Sequence, residues 1–249
     1  MSRRALVGTL AGVLVAGAGA GALGTPADAA QARPAVVEKR VIGHSVQGRP
    51  IRAFRLGEPG APTRVVAMAA MHGDETAPRA ILAQLRDGRP IAGVDLWVVP
   101  TVNPDGVAGR QRKNARGVDL NRNFPYRWGH SDGQVESGPR PGSEPETRVL
   151  MRFLERVDPA FVVSFHQPLN GVDVWGPKKR WFAHRLAHHL RLPRREFACG
   201  GACHGTFTQW FNNGFDGVAV TVEYGEKPSR DRMRVRAPRQ LLRVLGGSR

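Results

Sequence analysis

Cysteine, tyrosine, lysine and acidic residues are all scarce in this chain of 249 residues, and each scarcity narrows its reading. Two cysteines exclude a disulfide-dense scaffold and any metal module built from four thiolates. Asp and Glu number 21 against 37 Lys and Arg, so the net charge is +16, and arginine rather than lysine carries most of it. Such a balance favours polyanionic partners through long-range attraction. No basic motif with interleaved aromatics and no DNA-reading pattern accompanies it, so nucleic acid is not the expected partner. Repeats and low-complexity blocks are also missing. What remains is a chain with 41% apolar residues, enough for one good-sized core.

The first residues read as an export signal. Ser2-Arg3-Arg4 supplies a positive end, Ala5 to Leu23 is uncharged and apolar, and Ala27-Asp28-Ala29 offers a cleavage site, with Ala30-Gln31-Ala32 as a second. The paired arginines also fit a twin-arginine signal. The expected organisation is a signal peptide over residues 1–29 and a catalytic domain over 30–249, secreted or held at the cell wall, with no membrane span left after cleavage. Removing Arg3, Arg4 and Asp28 leaves a charge of +15. For an exported protein the polyanions within reach are cell-wall polymers and anionic lipid surfaces.

Beyond residue 37, strand-like and helix-like patterns alternate. Apolar runs at 63–70, 94–99, 160–165 and 217–222 read as buried strands. Residues 78–85 and 181–190 show helical spacing. Ser143 to Val157 reads as a helix opened by a capping box of Ser143 and Glu146, with Val149, Leu150, Phe153, Leu154 and Val157 as its apolar stripe. This alternation implies an α/β fold, a single domain with a mixed, mostly parallel central sheet and helices on both faces. Ligands of such sheets bind beyond the carboxyl ends of the strands. At those ends stand His72 and Glu75, then Asn103-Pro104-Asp105-Gly106, then His166, then Glu223.

His72 and Glu75 are three residues apart, so both side chains can reach one ion from a single turn. His166 supplies a third donor. Two imidazoles and one carboxylate are a known set for a catalytic zinc with an open position. His-x-x-Glu alone is a common pattern. Here it is followed in order by Asn103-Pro104-Asp105-Gly106, Arg112-Lys113-Asn114, the run Gly117-Val118-Asp119-Leu120-Asn121-Arg122-Asn123-Phe124, Ser164-Phe165-His166 and Thr221-Val222-Glu223. With these segments the chain resembles the zinc carboxypeptidase family over roughly residues 63–225.

The resemblance implies one zinc per chain, held by His72, Glu75 and His166. It implies that Glu223 is the general base, taking a proton from the attacking water and passing it to the leaving amine. Arg112 is expected to steady the oxyanion. Asn121 and Arg122 are expected to hold the substrate carboxylate, a task suited to the planar guanidinium fork. Asp119 is expected to orient a ligand imidazole, that of His72. Of the remaining histidines, His184, His188 and His189 read as solvated on a probable helix, and His44 and His130 as loop residues.

The chain departs from the larger digestive members in one respect. Those carry a substrate-covering tyrosine before the last strand, whereas the tyrosines here are Tyr126 and Tyr224, and the stretch from Cys199 to Trp210 has none. That stretch is expected to be closed instead by a Cys199–Cys203 disulfide, with His204 facing the cleft. Compact size, export and positive charge make the chain similar to the bacterial branch that cleaves γ-D-glutamyl-meso-diaminopimelate in peptidoglycan stem peptides. The alternatives are a general carboxypeptidase, a related deacylase and a non-catalytic wall-binding relative.

Overall fold

The apolar runs do become the centre of a sheet. A computed structural model describes residues 34–198 and 203–249; the expected signal peptide and Cys199 lie outside them. Eight strands form one sheet: β1 (Val36–His44), β2 (Pro50–Gly57), β3 (Arg64–Ala69), β4 (Asp95–Val99), β5 (Phe161–His166), β6 (Leu169–Asp173), β7 (Arg194–Arg195) and β8 (Val218–Gly225). Their spatial order is β1-β2-β4-β3-β5-β8-β6-β7. The four inner strands β4, β3, β5 and β8 run parallel. β2 is antiparallel to β4, and β6 is antiparallel to β8. The sheet is therefore mixed, with four parallel strands in the middle and a further short parallel pair, β6 and β7, at one edge.

Strand alternation divides the core in two. On one face Val65, Ala67, Leu96, Val98, Val163 and Val220 pack under α1 (Arg79–Asp87), α4 (Arg180–Leu190) and α6 (Ala237–Leu245). On the other, Val66, Met68, Trp97, Val99, Val162 and Ala219 meet α3 (Pro145–Val157) and α5 (Phe207–Gly214). Among the described residues there is also a short α-helix, α2 (Pro104–Gly109), capped by the Asn103 side chain, which accepts from the Gly106 N–H at 2.9 Å.

Two expectations need correction. The capping box of α3 does not form. The helix begins at Pro145, a favoured first position, and Glu144 stands at its N-cap without a side-chain cap bond. Ser143 Oγ instead accepts from Asn123 Nδ2 and donates to Glu144, while Glu146 accepts the Val46 N–H. Tertiary partners took the polar groups that a free helix end would have used. The last inner strand also runs past Val222 to Gly225, because β6 pairs with it along Leu169–Val172.

At the other end of the sheet, Asp95 is fully buried and accepts from Arg55 (2.7 and 2.8 Å) and Arg64 (3.1 Å). Burial alone would raise its carboxyl; the arginine bonds outweigh that and hold it below its ordinary 3.8. Its contribution is therefore present above that value and lost as the pH falls through the folded pKa. Asp95→Asn is expected to cost about 2 kcal/mol at pH 7, less than the ~3–5 kcal/mol of a fully buried pair because Arg55 and Arg64 reach solvent. Denaturant unfolding of both proteins checks this, and the gap should shrink in acid; an equal gap at pH 7 and below 3.8 would show that the charge is not the cause.

Candidate active site

The site is assembled where three loops are forced together at the carboxyl edge of the parallel strands. The chain leaves β3 through Ala70 in the left-handed region (φ 52°). Gly73 then lies directly on the backbone of Gly106 and Val107, so that any side chain would collide with them. Its N–H donates to the Arg112 carbonyl at 3.1 Å. The glycines of His72-Gly73-Asp74-Glu75 and Asn103-Pro104-Asp105-Gly106 are thus a contact between two loops, and that contact sets where Arg112 begins. Asp105 itself does no chemistry; it ties the 45–49 turn through Ser45, Gln47 and Arg49. Of the four polar strand ends read from the sequence, this one is scaffold.

His72, Glu75 and His166 converge. His72 Nδ1 is 2.7 Å from Glu75 Oε1, and His166 Nδ1 is 2.8 Å from Glu75 Oε2. All three are buried, and their donor atoms lie within 4.8 Å of one another. The far nitrogens are tied back, His72 Nε2 to Asp119 Oδ1 and His166 Nε2 to Ser164 Oγ, both at 3.0 Å. With the His72 N–H directed at Asp119, its Nδ1 lone pair faces a carboxylate oxygen. Three buried Lewis bases aimed at one point call for a cation between them. The charge balance agrees. Burial would lower the His72 imidazolium, yet Asp119 and Glu75 raise it to about 9, so the surroundings of this nitrogen favour positive charge. Burial raises Glu75 and Asp119, but the neighbouring cationic groups outweigh it and hold both well below the usual carboxylate range. The donor set fits zinc.

Asp119 organises the rest. Its Oδ2 accepts from Arg112 Nε (3.1 Å) and Nη2 (2.9 Å), and its Oδ1 accepts the Asn121 N–H (2.9 Å). Arg112 Nη1 reaches Glu75 at 3.3 Å. The Asn121 side-chain oxygen Oδ1 accepts the Phe207 N–H, and its Nδ2 is without a hydrogen-bond partner among the described residues. Arg122 is buried and donates through Nη1 to the Asn121 carbonyl; its guanidinium is disfavoured by burial, with Asp119 opposing that. Glu223 lies inside β8, level with His166 on one side and Gly171 on the other. Its Oε2 accepts the Leu169 N–H at 3.3 Å. Burial pushes its carboxyl up, while the neighbouring imidazoles pull it back. His72, Glu75, His166, Arg112, Asn121, Arg122 and Glu223 face one cavity of ≈ 480 Å³, which Trp175, Thr206 and Cys203 also line, while Asp119 stands behind its wall.

Two site features were not read from the sequence. Ser164 stands behind His166; strand alternation places residues 164 and 166 on one face, which was the available signal. Gln167 donates its N–H to Glu75 Oε2 at 3.2 Å, and its side chain bridges Ala77 and residues 225–226. One expectation fails: His204 is not part of the cavity wall but binds the Arg127 carbonyl at 3.2 Å. The Cys199–Cys203 pairing has one partner outside the described residues.

The zinc carboxypeptidase family model matches residues 26–170. Murein peptide amidase A of Escherichia coli K12 is 36% identical over 183 residues, covering 68% of this chain and 74% of its own. The protein of the same name from Vibrio campbellii is 37% identical over 165 residues, 61% of this chain and 65% of its own. Among solved structures, a murein-tripeptide amidase of Escherichia coli O157 superimposes with a TM-score of 0.69 at 30% identity, over 84% of this chain and 92% of its own. Carboxypeptidase A of Helicoverpa armigera gives 0.71 at 18% identity, over 85% and 68%, a likeness of fold alone.

Proposed function

Because the chain belongs to the zinc carboxypeptidase family and is a hydrolase of that kind, we propose that it is exported and cuts the amide bond between γ-D-glutamate and meso-diaminopimelate in peptidoglycan stem peptides. The observation that carries this reading is a single cavity uniting the His72–Glu75–His166 centre, the Glu223 carboxylate and the donors of Arg112, Asn121 and Arg122. The choice of peptidoglycan is supported by the likeness to murein peptide amidase A.

A zinc ion held by His72, Glu75 and His166 supplies Lewis acidity towards water and the scissile carbonyl. The chain's own residues do the rest. Asn121 Nδ2 and Arg122 receive the free carboxylate of the substrate and so fix which amide bond lies beside the centre. Glu223 takes a proton from water as the water oxygen bonds to the carbonyl carbon, and returns it to the nitrogen as the C–N bond breaks, giving one carboxylate and one amine. Arg112, pinned by Asp119, stands ready for the charge that develops on the carbonyl oxygen.

Product mass spectrometry with zinc-loaded protein tests the proposal. L-Ala-γ-D-Glu-meso-diaminopimelate should release diaminopimelate, while a mixed set of ordinary peptides should stay intact. Trimming of the ordinary peptides alone would move the function to general carboxypeptidase, and cleavage of neither would leave the deacylase and wall-binding readings. The intact mass of protein recovered from culture fluid belongs to the same test: the reading expects loss of residues 1–29 and a Cys199–Cys203 disulfide, and an uncut, dithiol chain would remove export from it.

A further inference from the structure

The positive charge of the chain is not spread over it. Residues 178–195 hold seven Lys or Arg and no Asp or Glu, and residues 227–249 hold eight with one Asp. These two segments account for +14 of the net +16, leaving +2 on everything else. They pack together. α4 lies against α6, Arg185 Nη2 donates to the Arg243 carbonyl at 3.2 Å, and Arg232 Nη2 donates to the Leu190 and Arg191 carbonyls. Their apolar faces are spent on the core through Phe182, Leu186, Leu241 and Leu245. The opposite faces, with Arg185, Arg234, Arg239 and Arg243, are exposed, and among the described residues the one carboxylate paired there is Asp231, with Arg236.

The face also reaches the cavity. Trp175 lines the cavity, is 54% exposed and lies under the Arg180 guanidinium, 4.8 Å from the ring centroid. Trp181, 55% exposed, follows on α4. The crowding of charge is felt at His189, whose imidazolium is disfavoured by partial burial and by His188, Arg185 and Arg243.

We infer that the outer surface of α4 and the C-terminal segment is a docking face for a phosphodiester-bearing polymer of the cell wall, which holds the cavity against its substrate. Naming a wall polymer rests on the proposed function; the face itself rests on the charge distribution. Arginine suits phosphate through its planar fork, and the two exposed indoles beside the arginines offer an apolar face with a polar edge to the units between the phosphates.

Binding of full-length protein, with and without Arg185→Gln, Arg234→Gln, Arg239→Gln and Arg243→Gln together, tests this on poly(glycerol phosphate), phosphatidylglycerol vesicles and duplex DNA. None of the four lies in the catalytic cavity, so cleavage of a small soluble peptide should be unchanged. Wild-type protein should favour the polymer at equal phosphate. The fourfold variant should lose about tenfold or more in affinity at about 0.1 M salt, with a salt slope shallower by about three units. Equal binding by variant and wild type, or preference for vesicles or DNA, overturns the inference. Cleavage of soluble muropeptide without polymer binding sinks the docking face and spares the function. Polymer binding that the variant loses, without cleavage, spares the face and sinks the function.

Discussion

Glu223→Gln should abolish turnover, by roughly 10²–10⁴-fold in kcat, while the protein still holds one zinc. The two parts of this result come from the same geometry. Glu223 lies beside the metal centre but outside the group of donors within 4.8 Å of one another, which is His72, Glu75 and His166. Its Oε2 is engaged by the Leu169 N–H, and a glutamine can accept that bond with its carbonyl oxygen. Strand β8 is held on one side by β5 and on the other by β6, so the backbone beneath residue 223 does not depend on the charge. What the amide cannot do is accept a proton from water and give it back to nitrogen. Metal analysis, thermal unfolding and peptide cleavage on one preparation read the three quantities together. A folded, zinc-loaded Glu223→Gln protein that still turns over at a comparable rate would remove Glu223 as the base.

Glu223 also shows what the sequence could and could not disclose. Its identity as a polar group closing an apolar run was legible, because Val218, Val220 and Val222 advertise a buried strand. That it lies within the strand rather than after it was not. The extra length comes from pairing with β6, and β6, with the sequence Leu169-Asn170-Gly171-Val172-Asp173, is exposed at Leu169 and Asn170 and carries no apolar run. β1 was equally hidden. Its sequence, Val-Val-Glu-Lys-Arg-Val-Ile-Gly-His, is half in solvent at the sheet edge, and its pairing with β2 is broken by two register shifts. Inner strands are written in their own residues; edge strands are written in their neighbours.

The same division holds for the site. His72 and Glu75 lie within one turn of chain, so their shared target could be read locally. Of the hydrogen bonds behind these residues, Ser164 to His166 is as local, whereas Asp119 is 47 residues from His72 and was expected only through the family resemblance, and Gln167, 92 from Glu75, was not expected at all. Ser143 and Glu146 fail as a capping box for the complementary reason. Their local pattern was satisfactory, but Asn123 and Val46, brought in by the fold, offered buried bonds instead. A polar motif read from sequence lists what its groups are able to bind, and the tertiary structure chooses among the partners.

Asp119 is where that choice has the largest consequence after Glu223. One buried carboxylate orients His72, pins Arg112 with two bonds and accepts the Asn121 N–H. Asp119→Ala removes all three. Zinc affinity is expected to fall by about 10–100-fold through the freed imidazole, and activity to remain low even in excess zinc because Arg112 no longer has a fixed place. Asp119→Asn separates the two effects. Its Oδ1 can still accept from His72 Nε2 and the Asn121 N–H, but its Nδ2 would meet the Arg112 N–H groups, donor against donor. That variant should bind zinc nearly as the wild type does and yet cleave poorly. Zinc titration against a competing chelator gives the first quantity, and kcat/KM at saturating zinc gives the second. If Asp119→Ala binds zinc as tightly as the wild type, the carboxylate does not orient His72. If Asp119→Asn cleaves at the wild-type rate, the placement of Arg112 is not what catalysis requires.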